Sequence, residues 1–439
     1  MTASNQAVRH WERVFSQRQE QGEADWLATL RSEAFERFTA QGFPRAKSPN
    51  WRHTNVAPLA RVAFEVDKGA AQPVDPSTLP ALPGAAARLV FVDGHLREDL
   101  STLPAVDGLN VASLREALSS GDGDLQELLR TGSPRPNGSF VALNTALMED
   151  GAVVRVDRGA KIDGPIHLVF ATTALGAPAA TNLRNLVVAG ALAEVTVVEH
   201  YMGPAGAACF TNVVTDVACG PGSQVLHARL QEEGDEAWHV AEVRAHVGRD
   251  AHLVSLSMAS GARLSRTGIH AVLDGEGAQA DLLGLYLGRA AQHHDHTTLI
   301  EHRAPHGTSR EVYKGVLDDR ARGVFTGMIE VAPGAQKTNA TQSNRNLLLS
   351  DGAHADSEPM LEIHADDVKC AHGAAIGRLD DDALFYMRAR GIGVAEAQRL
   401  LARAFAADVV EGIHDEGLAA LVQERLTTWL DAARFGRDA

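Results

Sequence analysis

Four evenly placed glycines constrain this chain more than any other feature. Gly190, Gly220, Gly248 and Gly275 each close a short run rich in Val, Ile, Leu and Thr, at spacings of 30, 28 and 27 residues. Gly307 and Gly334 continue the series at 32 and 27. The intervening runs resemble one another, as in TNVVTDVACGPGSQV, AEVRAHVGRDAHL and GIHAVLDGEGAQA. A repeat of this length, made of strands and tight turns, predicts a solenoid. One coil cannot bury its apolar face alone, and stacked neighbours supply the core. A β-sandwich with evenly spaced hairpins is the competing arrangement, but its turns recur at about half this spacing.

The expected fold is therefore mainly β, with a β-helix core over residues 139–376 between helical regions at 1–138 and 377–439. Residues 5–41 carry helical periodicity, with Val8, Trp11, Val14 and Phe15 and then Trp26, Leu27, Leu30, Phe35 and Phe38 on one face. The Pro-interrupted segment FPRAKSPNWRHT follows, and residues 72–84 read as a linker. ARLVFVDGHL reads as a strand and turn, and VASLREALSS and DLQELLR as short helices. Near the end, Leu400, Leu401, Phe405 and Val409 form one apolar stripe, and Leu418, Leu421, Leu426 and Leu430 another. Such stripes ordinarily pack into a core, and a small terminal helical domain also serves as a docking surface.

The balance of 41 Lys and Arg against 56 Asp and Glu, a formal charge of −15, argues against nucleic acid or an anionic membrane as partner. The polar N-terminus and the lack of a long apolar stretch predict a cytoplasmic protein. Cys209, Cys219 and Cys370 are too few and too odd in number for a disulfide framework. There is no GxxxxGK[ST], so if ATP drives this protein, another subunit must hydrolyse it. CxxC and G-x-S-x-G are absent as well.

Two constellations remain. GRAAQHHDHTTLIEHRAPHG gathers His293, His294, His296, His302 and His306, and Gly288, His294, His296 and Glu301 lie near the first metal motif of the cupin enzymes. Two imidazoles at i and i+2 on a strand share a face and suit Fe, Mn or Zn. The second cupin motif needs a histidine after a Pro–Gly turn, and VAPGAQKTNATQSN supplies the turn alone. These histidines read equally as turn or strand residues satisfied by neighbours. The other constellation is DDVKCAHG. On a strand, Val368, Cys370 and His372 face one way, which sets a thiolate beside an imidazole, both good iron ligands. Lys369 and a protonated His372 would lower the Cys370 pKa if close. A nucleophile–base pair lacks an orienting third residue, and a small buried thiol beside a turn histidine stays open on spacing alone.

The surrounding residues add a resemblance. AQKTNATQSNRNLLLS, PMLEIHADDVKCAHGAAIGRLD and LFYMRARGI resemble the SufB/SufD family of iron–sulfur cluster scaffold proteins, strongly over about residues 312–405. FPRAKSPNWRHT is similar to the family's P-x-x-K-x-x-x-WR-x-T segment. Ala371, His372 and Gly373 stand where the SufB branch carries Glu-His-Glu, and a cluster-ligand cysteine of that branch has no counterpart, so the chain looks like the SufD branch. The resemblance implies a right-handed parallel β-helix and a non-enzymatic subunit that forms a heterodimer with a SufB-like paralogue. It also implies a SufC-like ABC ATPase docked on the C-terminal helices, where Leu400, Leu401 and Phe405 are the candidate contacts. A transient Fe–S cluster at the paralogue interface would take His372 as ligand, with Cys370 second. No cluster is expected in the chain alone, for which a homodimer stays open. A cupin-like metal enzyme using His294, His296 and Glu301 is the alternative.

Overall fold

The repeating glycines sit at stacked corners. The computed structural model describes residues 3–19, 23–45, 48–66, 73–103, 105–120, 123–131, 138–173, 177–433 and 435. Within it, the strands Ala179–Ala189, Cys209–Cys219 and Trp238–Val247 stop directly before Gly190, Gly220 and Gly248, and Leu264–Leu273 stops just short of Gly275. There the chain turns from one sheet into the other. A Cβ on Gly220 would stand 2.8 Å from the Ala189 carbonyl oxygen, and one on Gly275 would stand 2.0 Å from the Arg249 amide nitrogen. The backbone of the preceding coil fills that space, so the corner admits only glycine. Gly307 and Gly334 lie in later turns outside this stack, and a Cβ on Gly334 would meet nothing within 4 Å.

Two sheets result. One runs from Leu109–Ser113 and Ala152–Val156 to His354–Ile363, the other from Ala87–Val92 to Lys369–Gly377, with successive strands alternating between them. Pairing is parallel and in register from coil to coil. Val225 meets Leu253, then Ala280, Ser309, Ala340 and finally Cys370. This is a parallel β-solenoid, as the repeat predicts, and its coil-to-coil ladders are not the antiparallel hairpins of a sandwich.

The period of two sorts each strand into faces. Val225, Leu253, Ala280, Tyr286 and Ala340 belong to the interior core. Leu226, Ala228 and Leu230 face outward and pack beneath Val394–Glu411 and Glu416–Ala432, through Ala402, Ala406, Val409, Leu426 and Trp429. The outer face of the other sheet is covered by Ala3–Gln19, Asp25–Gln41 and Ser139–Leu147, where Trp11, Phe38 and Phe140 meet Phe210 and Trp238. Both helical regions are thus covers for the solenoid. Lys314 fixes the C-terminal cover, its Nζ donating to the Phe405 carbonyl at 2.5 Å and to Asp408 Oδ2 at 2.6 Å. Phe405 packs half-buried against that layer, Leu401 is half-buried, and Leu400 is exposed.

The solenoid's first coils are closed off. Ala87–Val92 adds in parallel to Ile166–Ala171, and its other edge takes the short antiparallel strand His95–Leu96. Leu109–Ser113 closes the other sheet antiparallel to Ala152–Val156. Residues ahead of the glycine repeat therefore contribute strands to the solenoid as well as helices. At the far end Lys369–Gly377 and His354–Ile363 come last in their sheets, each paired on one side only.

Candidate functional site: the open end of the solenoid

The segment AQKTNATQSNRNLLLS contains the next-to-last strand of its sheet, Asn339–Leu348. Its alternate residues Ala340, Gln342, Asn344 and Asn346 are buried, whereas Thr341 and Arg345 are exposed. The Q-x-N-x-N spacing therefore sends three amides into the interior. Asn344 Nδ2 donates to the Tyr286 hydroxyl at 3.0 Å, and that hydroxyl donates to Asn346 Oδ1 at 2.6 Å. Gln342 Nε2 donates to Glu311 Oε2 at 2.7 Å. Burial pushes the Glu311 carboxyl up to about 7.

The last strand repeats this register. Cys370 pairs with Ala340 and His372 with Gln342, so both side chains share the inward face of their neighbours. Cys370 packs against the interior core and is half-buried, while the strand from Ala371 to Gly377 is exposed. Burial raises the Cys370 thiol, against a smaller opposing hydrogen bond from the Ala340 backbone. The expected lowering by Lys369 and His372 is thus corrected: neither contributes, and desolvation by burial sets the direction. The pair supplies one sulfur and one nitrogen, and among the described residues no group of three or more His, Cys, Asp or Glu could hold a metal ion. Cys370 and His372 fit a metal cluster as part of a site, not as a whole one. Cys209 and Cys219 are core thiols, the latter pushed up to about 12 by burial.

The histidine-rich stretch becomes the strand His293–His302, and it overturns the cupin-like reading. His294 and His296 point inward, fully buried, and burial pushes their imidazoles down to about 3 and about 4. Glu301 lies an odd number of residues from both and faces outward. There it lies 2.7 Å from His270 Nε2 and accepts from Arg303 Nη2 at 2.7 Å. The three groups do not converge, and the fold is a solenoid rather than a barrel. His296 stacks on Tyr286, ring centroids 5.1 Å apart, as a core residue.

The N-terminal segment around Trp51 docks on the outer face of the same coils. His53 Nε2 lies 2.8 Å from Glu358 Oε1, and Arg52 pairs with the same carboxylate. Arg322 Nη2 donates to Asp356 Oδ2 at 2.6 Å beside them. Thr54 donates to Asp295, and the Arg266 guanidinium lies 4.0 Å above the Trp51 ring. Lys47 of this segment and Gln72 of the linker lie outside the described residues. On the C-terminal side, the helix Asp381–Ala389 exposes Phe385 by 72% and Tyr386 by 58%. The Gln342–Glu311 pair and the docking of His53 escape sequence reasoning. The first was signalled by the alternation of amides, the second by nothing local.

Fold and site together define a class: a parallel β-solenoid, covered on both faces and closed at one end, that presents a thiol and an imidazole at its open end. Residues 170–405 match the family model of the SUF system FeS cluster assembly SufBD core domain, and residues 3–168 match that of the SufBD protein N-terminal region. The chain belongs to the SufBD family of iron–sulfur cluster assembly proteins. It is 32% identical over 411 residues to an iron–sulfur cluster assembly SufBD family protein of Synechocystis, covering 90% of this chain and 86% of the relative. It is 29% identical over 425 residues to the iron–sulfur cluster assembly protein SufD of Escherichia coli, covering 96% of each. It is also 29% identical over 420 residues to SufD of Bacillus subtilis, at 90% and 92% coverage.

Proposed function

We propose that this chain is a non-catalytic subunit of an iron–sulfur cluster assembly complex. Its open end pairs with a SufB-like paralogue, and an Fe–S cluster is built at that junction as cargo. His372 donates a nitrogen to the cluster, with Cys370 as the secondary ligand. A separate SufC-like ABC ATPase supplies the energy and docks on the C-terminal helices, through the exposed Leu400 and the half-buried Leu401 and Phe405. Without the paralogue, the same end accepts a second copy of this chain.

The observation that carries the reading is the inward-facing Cys370–His372 pair on a terminal strand whose outer edge is unpaired. An unpaired strand edge is a template for another strand. Two ligands at such an edge leave iron coordination to be completed from across the junction. Family membership supplies the chemistry, iron–sulfur cluster assembly. Among the described residues, no helix is long and apolar enough to cross a membrane.

The test is anaerobic reconstitution of the co-expressed complex with iron and sulfide, followed by visible absorbance. His372→Ala is expected to leave complex formation intact, because an exposed edge residue contributes little to the core. Cluster formation should fall by about tenfold or more, and Cys370→Ala should reduce it less. A His372→Ala complex that forms clusters at the wild-type rate would refute the assignment.

A further inference from the structure

A polar column rises to His372 from inside the solenoid. Register places Leu282, Glu311, Gln342 and His372 one above the other on successive coils. Glu311 and Gln342 are 1% and 2% exposed. Because Gln342 Nε2 donates to Glu311 Oε2 at 2.7 Å, the amide is oriented, and its Oε1 is left buried with no hydrogen-bond partner. Buried carbonyl oxygens are almost always paired, so this one is a vacant acceptor one strand below the imidazole. The facing sheet makes room for the amide: a Cβ on Gly327 would stand 2.2 Å from Gln342 Nε2.

We propose that Gln342, held by Glu311, is a positioning residue for His372. Its Oε1, unpartnered in this structure, is the acceptor onto which the His372 ring turns one N–H, leaving the other nitrogen unprotonated at the mouth of the solenoid. The inference deepens the reading of His372 as a ligand and rests on it. A ligating imidazole commonly donates its second N–H to a carbonyl or carboxylate, which fixes both tautomer and ring orientation. An amide is the fitting acceptor here.

The experiment uses the full chain labelled with ¹⁵N-histidine and long-range ¹H–¹⁵N NMR, with the His372 signals assigned by their loss in His372→Ala. The wild-type chain is expected to show one tautomer at His372. Gln342→Leu should move both ring nitrogens toward the averaged shifts of a free histidine. Gln342→Leu with Glu311→Leu, which removes both partners, should do the same in a fold unchanged by circular dichroism. Exchanging the pair, as Glu311→Gln with Gln342→Glu, restores an acceptor and should return a single ring orientation. In the reconstituted complex, Gln342→Leu should slow cluster formation on the order of tenfold. Wild-type His372 shifts in both leucine variants would overturn the positioning role. Normal cluster formation in His372→Ala would instead remove the ligand reading, which the NMR comparison does not touch.

Discussion

The two ends of this solenoid are built from the same kind of coil and finished in opposite ways. At the first, Phe91 is fully buried and stacks on Phe170 with ring centroids 5.0 Å apart, and Phe170 stacks on Tyr201 at 4.8 Å. Short antiparallel strands then turn both sheet edges aside. At the last, Ile363 is 41% and Ile376 49% exposed, and among the described residues no such strand follows. Stacking alone does not decide where a solenoid stops, since every coil offers an edge to the next. The stop at the first end is made by residues that precede the repeat. The other end keeps its ladder and its inward-facing side chains accessible, and that is where Cys370 and His372 stand.

This contrast makes the ends unequal in stability. Phe91→Ala is expected to lower the unfolding free energy by about 3–5 kcal/mol, as for other buried aromatic truncations. Ile376→Ala should lower it by less than about 1 kcal/mol, because half of that side chain is already in water. Urea unfolding of the two variants checks this, and equal losses would show that the open end is as firmly built as the closed one.

A smaller effect concerns the interior near the open end. Burial holds the Glu311 carboxyl near 7, above its ordinary value of 4.5. The sign follows from linkage. Below the unfolded value both states carry the proton and nothing is lost, and stability declines as pH rises through about 7 and the buried group must ionise. Glu311→Gln removes that dependence. Between pH 4.5 and 8 the wild-type chain should therefore lose on the order of 2–3 kcal/mol relative to the variant. Glu242, also buried and also near 7, titrates alike in both and cancels. Parallel stability–pH curves for the two proteins would show that Glu311 is solvated through the open mouth.

The smallest effect is a rate of labelling. Burial raises all three thiols, but Cys370 is half-buried and Cys209 and Cys219 are enclosed. Iodoacetamide should modify Cys370 first, more slowly than free cysteine. Peptide mass analysis showing Cys209 or Cys219 reacting as fast would mean that the core opens as readily as the end.

The solenoid was legible in the sequence because its cause is local: each corner glycine answers to the backbone of the coil beneath it. That Cys370 and His372 share a face follows from the period of two alone, whereas their facing inward follows from their pairing with Ala340 and Gln342. Parity also separates Glu301 from His294 and His296, since an odd spacing on one strand sends side chains to opposite faces. The closure of the first end was not legible as such. ARLVFVDGHL announces a strand, but which sheet it joins depends on Ile166–Ala171, far along the chain. The C-terminal stripe was only half legible: helical spacing groups Leu400, Leu401, Phe405 and Val409, of which Val409 is buried, yet Ala402 and Ala406 complete the buried face. The Cys370 thiol is governed by how deeply it is enclosed, a quantity that no spacing encodes.

The docking of His53 on Glu358 joins residues 305 positions apart. A ribosome adding roughly 5–20 residues per second needs on the order of 15–60 s to make the intervening chain. Throughout that interval the coils can stack one at a time as they emerge, each on the one before it. Arg52 and His53 have no finished surface to land on until the strand His354–Ile363 exists. The segment made near the start of synthesis is thus among the last to settle. Its closure registers that the nascent chain has been completed almost to the site-bearing strand.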